Sequence, residues 1–300
     1  MSWFALTVCS AVLLGLYDLA KKAALRGAPP MAVLMATVLV GAATWAPCVA
    51  AASLGWSAAL PSGLRVATSL GWAEHGLLLA KSTLVAASWA LAYAALARLP
   101  VSIAAPIRST SPAFTILVAV ALMGERPSTT QWLGVATVLA AFYAFSWASA
   151  AEGVHFARNK WVGCMGLSTL LAACSALYDK YLFQQTDLDV PTVQAWFSLY
   201  LVPVVAPWYL RWRRRCGAPH AELLQPLAVA IAWLLLAADY AYFAALATDG
   251  ALIAVVSPLR RTAVAVSLVG GVLLFGERGF RRKAACVGAM LAGVTLLAFY

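Results

Sequence analysis

Charge is scarce in this sequence. Only 11% of its 300 residues are charged, against 63% hydrophobic, where a soluble domain carries roughly 25% charged residues. That shortage excludes a water-soluble globular fold. Short segments of alternating polarity are also missing, which excludes a transmembrane barrel. Histidine is nearly absent, and His75, His155 and His220 all fall in predicted loops. The six cysteines form no C-x-x-C pair, and five of them lie in apolar segments, where Cys acts as a small hydrophobe. No metal site, cofactor site or disulfide framework follows. No G-x-S-x-G, His-rich or carboxylate-rich motif marks an enzyme. The opening residues lack a basic n-region and an A-x-A cleavage site, so the first apolar segment is read as a retained helix.

Acidic residues are outnumbered, 11 against 21 basic, for a net charge of +10. In so apolar a chain this excess reads as Lys and Arg held in cytoplasmic loops, not as a nucleic-acid surface. What the chain does contain is apolar segments of helix length from end to end. Ten are expected, at about 2–25, 31–54, 76–96, 101–123, 129–149, 161–183, 191–210, 223–247, 251–275 and 283–300. The polar stretch 151–160 separates two units, 1–150 and 151–300. Five helices per unit is an odd number, so the units enter the bilayer from opposite sides. The expected fold is an all-α membrane protein with ten transmembrane helices as two inverted five-helix repeats. Loops after the odd-numbered helices hold fourteen Lys and Arg, and the other loops hold three. This bias predicts both termini outside, and the high alanine content and compact chain point to a bacterial inner membrane.

The repeat is visible in residues. Pro106, Arg108 and Gly124-Glu125-Arg126 recur 152 positions later as Pro258, Arg260 and Gly276-Glu277-Arg278. Tyr17-Asp18 is answered by Tyr178-Asp179. With Gln131 and Gly134 after the first Gly-Glu-Arg and Gly288 after the second, the chain resembles the EamA-like family of the drug/metabolite transporter superfamily. It departs in carrying Gly15-Leu16-Tyr17-Asp18 where a Trp-Gly start is common, and many relatives are described with cytoplasmic termini. The resemblance implies a central cavity lined by helices one to four and six to nine, working by alternating access. It also implies substrates among amino acids, drugs, sugars, nucleotide sugars and phosphorylated metabolites.

Charges inside the predicted helices are the candidate site. A charge near the bilayer centre costs roughly 2.5–3.5 kcal/mol on insertion scales and needs a partner or a wet cavity. Arg108, Arg260, Arg261 and Lys81 are the expected substrate contacts, with Tyr17, Tyr178 and Tyr240 beside them. Arginine's planar fork suits carboxylate or phosphate, and the resemblance adds that phosphate-moving relatives use basic residues on the ninth helix. Arg260 and Arg261 point about 100° apart, so one is expected to face the cavity squarely. Asp18, Asp179, Asp239, Lys22 and Lys180 are expected to couple or gate, and Asp18 can pair with Lys22 four residues on. The plainer alternative is that carboxylates and cations only lock helices together. Pro106, Pro112 and Pro258 are expected helix kinks. Gly134, Ala136, Gly288 and Gly293 suit close packing or a homodimer seam.

The function that follows is secondary transport of a small anionic metabolite. A flippase for a lipid-linked phosphate is the alternative within transport. A membrane enzyme or a non-transporting binding protein is the alternative from another class.

Overall fold

The computed structural model describes residues 2–25, 28–96, 107–108, 110–148, 159–216, 226–275 and 280–298. The helices are α1 (Trp3–Ala24), α2 (Pro30–Ser53), α3 (Trp72–Leu96), α4 (Ser111–Leu122), α5 (Thr129–Ala148) and α6 (Lys160–Gln185). They continue with α7 (Val190–Cys216), α8 (Pro226–Leu246), α9 (Ile253–Arg261), α10 (Ala263–Phe275) and α11 (Phe280–Ala298). Because α9 and α10 follow each other across one residue, the eleven segments make ten crossings among the described residues. Those residues include no strand. Five helices are long and apolar enough to span a bilayer outright, and two shorter apolar helices add to them.

Local chemistry starts these helices where the sequence provides a cap. The Asn159 side chain accepts a hydrogen bond from the N–H of Trp161 at 2.9 Å, opening α6. The Asp189 carboxylate accepts from Thr192 at 2.9 Å, opening α7. Before α5, Gln131 donates its N–H to Ser128 Oγ (3.2 Å) and accepts from the Ser128 N–H (2.9 Å). This reciprocal capping box satisfies two orphan donors at once. Gly124, at φ +68°, ends the α4 segment in the left-handed region that only glycine enters cheaply. The turn sends Glu125 inward, where it is 6% exposed.

The two halves pack as an exchanged pair. α1 lies on α8, and α3 lies on α6, its counterpart when the halves are swapped. α2 packs on α7, α4 on α9, and α5 on α11, and each of these pairs maps onto itself. Close approach depends on small residues. A Cβ on Gly134 would stand 2.7 Å from the Leu297 side chain, and one on Gly293 would stand 3.0 Å from the Val138 nitrogen. Gly134 and Gly293 are therefore used inside the chain, between α5 and α11. Ala136 and Gly288 meet no such neighbour: Ala136 is exposed and a Cβ on Gly288 would find open space.

Several boundaries differ from the sequence expectation. α7 does not stop at residue 210 but runs through Arg211, Arg213, Arg214 and Arg215 to Cys216. The bilayer's edge ends an apolar stretch, not a helix, and arginine is a good helix former. The ninth crossing breaks at Thr262, whose hydroxyl donates to the Leu259 carbonyl at 2.7 Å. Pro258 lies within α9, four residues before the break. Pro112 stands in the first turn of α4 rather than at a kink, where its missing N–H leaves no hydrogen bond unmade. Pro106 lies outside the described residues. The segment between α2 and α3 forms two short 3-10 turns, Ser57–Ala59 and Ser62–Leu64. It is tied down by Tyr240 Oη donating to the Gly63 carbonyl (3.1 Å) and Trp196 Nε1 donating to that of Ala67 (3.0 Å).

Candidate functional site

A cavity of about 380 Å³ lies between the halves. α1, α2, α3, α4, α6, α7, α8 and α9 all contribute to its wall, together with Arg108 just before α4. α5, α10 and α11 stand outside it among the described residues. Its outer residues, Lys21 of α1, Leu25 just after it and Val33 of α2, lie where α1 ends and α2 begins. The cavity therefore opens on the side where the basic loops lie. At its deep end Lys81 is 2% exposed and Asp179 5%. Beyond them a packed cluster including Leu78, Leu182, Phe243, Leu246 and Val255 closes the opposite side.

The wall carries five cations, Lys21, Lys81, Arg108, Arg260 and Arg261, and three carboxylates, Asp18, Asp179 and Asp239. Lys81 of α3 is ion-paired with Asp179 of α6. Its ammonium also lies 4.5 Å from the Phe197 ring centre and 4.7 Å from that of Phe243, a placement that favours a desolvated cation. Arg260 is ion-paired with Asp239. It donates Nε to Ser10 Oγ at 3.2 Å and stacks its guanidinium 4.2 Å from the Tyr242 ring centre. Lys21 pairs with Asp18 at 3.3 Å, near the mouth. All three carboxylates are thereby taken. Arg261 has only Ser111 Oγ, to which it donates at 3.4 Å. Arg108 is exposed to the cavity. Among the described residues no carboxylate lies within ion-pair reach of either arginine.

Of the residues expected to form the site, Tyr17, Asp18, Lys81, Arg108, Asp179, Asp239, Arg260 and Arg261 come together on this wall. Arg260 and Arg261 both line it, where one was expected to face it squarely. Tyr178 does not: its hydroxyl donates to the Leu77 carbonyl at 3.1 Å and its ring stacks on Tyr181. Tyr240 is turned away to Gly63. The side chain of Lys22, expected to pair with Asp18, lies outside the described residues; Lys21 pairs with Asp18. Sequence reasoning did not single out Lys21, Trp89, Phe197 and Phe243 for the wall. Lys21 had a signal, since it sits one helical turn from Asp18.

Lys180 lies elsewhere, on the closed side. It is ion-paired with Glu125 and donates to the Ala251 carbonyl at 3.1 Å. The Glu125 carboxylate also accepts the N–H groups of Ile253 (2.8 Å) and Ala254 (2.9 Å), the first residues of α9. A helix start presents unsatisfied donors and the positive end of its dipole, and both favour a carboxylate. One buried carboxylate thus joins the turn after α4, the end of α6 and the start of α9. Glu125 entered the sequence reading only as part of a family motif, and its capping role came from the fold.

Comparison with known proteins bears on this architecture. Residues 1–147 match the model of the EamA-like transporter family. The chain belongs to that family. It is a multi-pass membrane transporter of the drug/metabolite superfamily. A solved crystal structure aligns with 99% of this EamA-like chain and 98% of its own, with a TM-score of 0.74 at 16% identity. At that identity the likeness shows the fold. A search of curated proteins finds no match.

Proposed function

We propose that this EamA-like protein is a secondary transporter of a small anionic metabolite bearing phosphate or carboxylate, moved by alternating access. The observation that carries the reading is the pair Arg108 and Arg261. Both face the cavity with no carboxylate in ion-pair reach among the described residues, while the other three cations of the wall are paired. Two guanidiniums in a confined space hold an anion bidentately and strongly. The lining as a whole favours the same sign of cargo, with five cations to three carboxylates. Residues 1–150 and 151–300 act as the two moving units, as the exchanged helix pairing suggests. The distribution of Lys and Arg supports both termini outside and the cavity mouth facing the cytoplasm.

Under this reading the Glu125–Lys180 pair is a latch that must release when the closed side opens. Glu125→Gln keeps the shape and removes the charge. A charge-assisted hydrogen bond is worth about 1.5–3 kcal/mol, so losing one shifts the open-to-closed ratio by roughly 10- to 150-fold. The readout is labelling of Ala251→Cys by a membrane-impermeant maleimide, in a background without the six native cysteines. Labelling is expected to accelerate in Glu125→Gln. An unchanged rate would make the pair a static clamp.

The transport reading is tested by thermal stability of the purified protein against phosphorylated sugars, nucleotide sugars, carboxylates, neutral amino acids and cationic drugs. A ligand at 100 times its Kd adds about 2.7 kcal/mol. Stabilisation confined to anionic compounds, followed by their flux in proteoliposomes, is the expected result. Stabilisation by neutral or cationic compounds alone would reject an anionic cargo. A response only to lipid-linked phosphates would favour the flippase.

A further inference from the structure

Beside the main cavity lies a second, far smaller space of about 30 Å³, between α2, α3, α7 and α8. Its polar wall consists of Thr37, Gln194, Ser198 and Asp239, with Trp89 on the side shared with the main cavity. Gln194 is fully buried, and its Oε1 has no hydrogen-bond partner. The orientation of that amide is fixed, because Nε2 donates to the Leu236 carbonyl at 3.4 Å. Turning the amide over would set two carbonyl oxygens against each other. A buried oxygen left unpaired is costly and calls for an explanation.

The hydroxyls of the wall have already given their protons away. Thr37 Oγ1 donates to the Val33 carbonyl at 2.8 Å, and Ser198 Oγ donates to that of Gln194 at 2.7 Å. Apart from the second N–H of the Gln194 amide, what these four side chains have left to offer is lone pairs, and one of the four is a carboxylate. The space is large enough for one water-sized occupant. A water brings only two protons to four acceptors, whereas a small hard cation is bound by oxygens all round. Asp239 belongs to both spaces and is the partner of Arg260.

We propose that this side pocket is the site of the coupling cation, Na⁺ or hydronium, held between Gln194 Oε1 and the Asp239 carboxylate. In the hydronium case the proton passes to Asp239, and the resulting O–H donates to Gln194 Oε1, directly or through one water. In either case the cation draws on the carboxylate that holds Arg260, and Arg260 is released toward the main cavity. Cation and anion then favour each other's binding. This coupling step rests on the anion-cavity reading; the cation site does not. The other charged and titratable groups sharing the cavity with Asp239 are Lys21, Asp18 and Tyr17 of α1, Lys81 of α3, Arg108 before α4, Asp179 of α6, Tyr242 of α8 and Arg261 of α9. All three carboxylates of the main wall are paired, and of the three it is Asp239 that also lines the side pocket.

The test uses the full chain in lipid nanodiscs with no organic anion present, so its result does not depend on whether Arg108 and Arg261 bind one. Melting temperature is followed while choline chloride is replaced stepwise by NaCl at constant ionic strength, and separately while pH is lowered. Saturable stabilisation by Na⁺, with the half-saturating concentration raised at least about tenfold in Gln194→Leu, identifies a Na⁺ site. Stabilisation on acidification without a Na⁺ effect, lost in Asp239→Asn and weakened in Gln194→Leu, identifies the proton. A response to neither means a site filled by neutral water and overturns the proposal. So does a response that Gln194→Leu leaves unchanged. Should Gln194→Leu fold poorly, Ser198→Ala removes one oxygen of the same wall, and the wild-type titration alone still decides whether any cation binds.

Discussion

Arg261→Ala is expected to weaken binding of the anionic ligand by roughly 30- to 1,000-fold, about 2–4 kcal/mol, the range seen when one partner of a desolvated charge pair is removed. The effect should be specific to ligand. Arg261 holds no carboxylate among the described residues and has only a 3.4 Å bond to Ser111, so its loss leaves no buried anion stranded. Thermal stability without ligand should change little, while the ligand's stabilising effect disappears. Arg261→Lys keeps the charge but not the fork, and an intermediate loss is expected. Arg260→Ala is a poorer probe, because it strands Asp239 and mixes binding with folding. Titration of the best ligand from the panel, monitored by melting temperature, gives the comparison. Equal ligand affinity in wild type and Arg261→Ala would return this arginine to a structural role and remove the main support for an anionic cargo.

The largest effect on stability is expected at Lys81. Truncating it to Met leaves Asp179 charged, 5% exposed and without its cation. Breaking a buried pair from one side costs about 3–5 kcal/mol, whereas replacing both partners by apolar groups is often neutral. Lys81→Met should therefore unfold at markedly lower denaturant, and Lys81→Met with Asp179→Leu should recover most of the loss. The strength of that recovery is a coupling energy, measured by the double-mutant cycle. Two phenylalanine rings already line the ammonium at 4.5 and 4.7 Å, so an apolar replacement has a surface to rest on. Were the single variant harmless and the double no better, the pair would not be a closed structural bridge. Lys81 would then count among the groups free to meet cargo.

These two residues show what a sequence can tell and where it stops. Helix positions were legible because a bilayer imposes length and composition on every crossing, and the repeat of Pro-x-Arg and Gly-Glu-Arg exposed the two-unit plan. Charges within apolar segments marked the candidate cavity, since a lone charge there needs an explanation. Their pairing was not legible. Lys81 meets Asp179 across 98 positions and Lys180 meets Glu125 across 55, and only helix packing decides such matches. Symmetry misled for the tyrosines: Tyr17 and Tyr178 occupy matching positions, yet α3 offers Tyr178 the Leu77 carbonyl and draws it off the cavity. The break at Thr262 gave no warning in composition, because Pro258 advertises an irregularity four residues too early. In sequence Gln194 is one polar residue in an apolar helix, and its meaning comes from an unpaired oxygen that only the packing creates.

The extension of α7 past the apolar stretch has a consequence for how cargo arrives. Its last turns carry Arg211, Arg213, Arg214 and Arg215 on a rigid rod that ends on the side where the cavity opens. A flexible loop would let those charges wander and be screened one by one. Fixed on a helix, they would hold a standing positive potential on that side, which for the anionic cargo proposed above would raise its local concentration and speed its capture. Under the proposed function, selection by sign would then begin in the water outside, before any contact with Arg108 or Arg261. The Debye length sets its reach at about 8 Å under physiological salt. Cargo would be gathered from a shell of solvent wider than the opening itself, and salt would tune the rate of entry while leaving the grip inside nearly untouched.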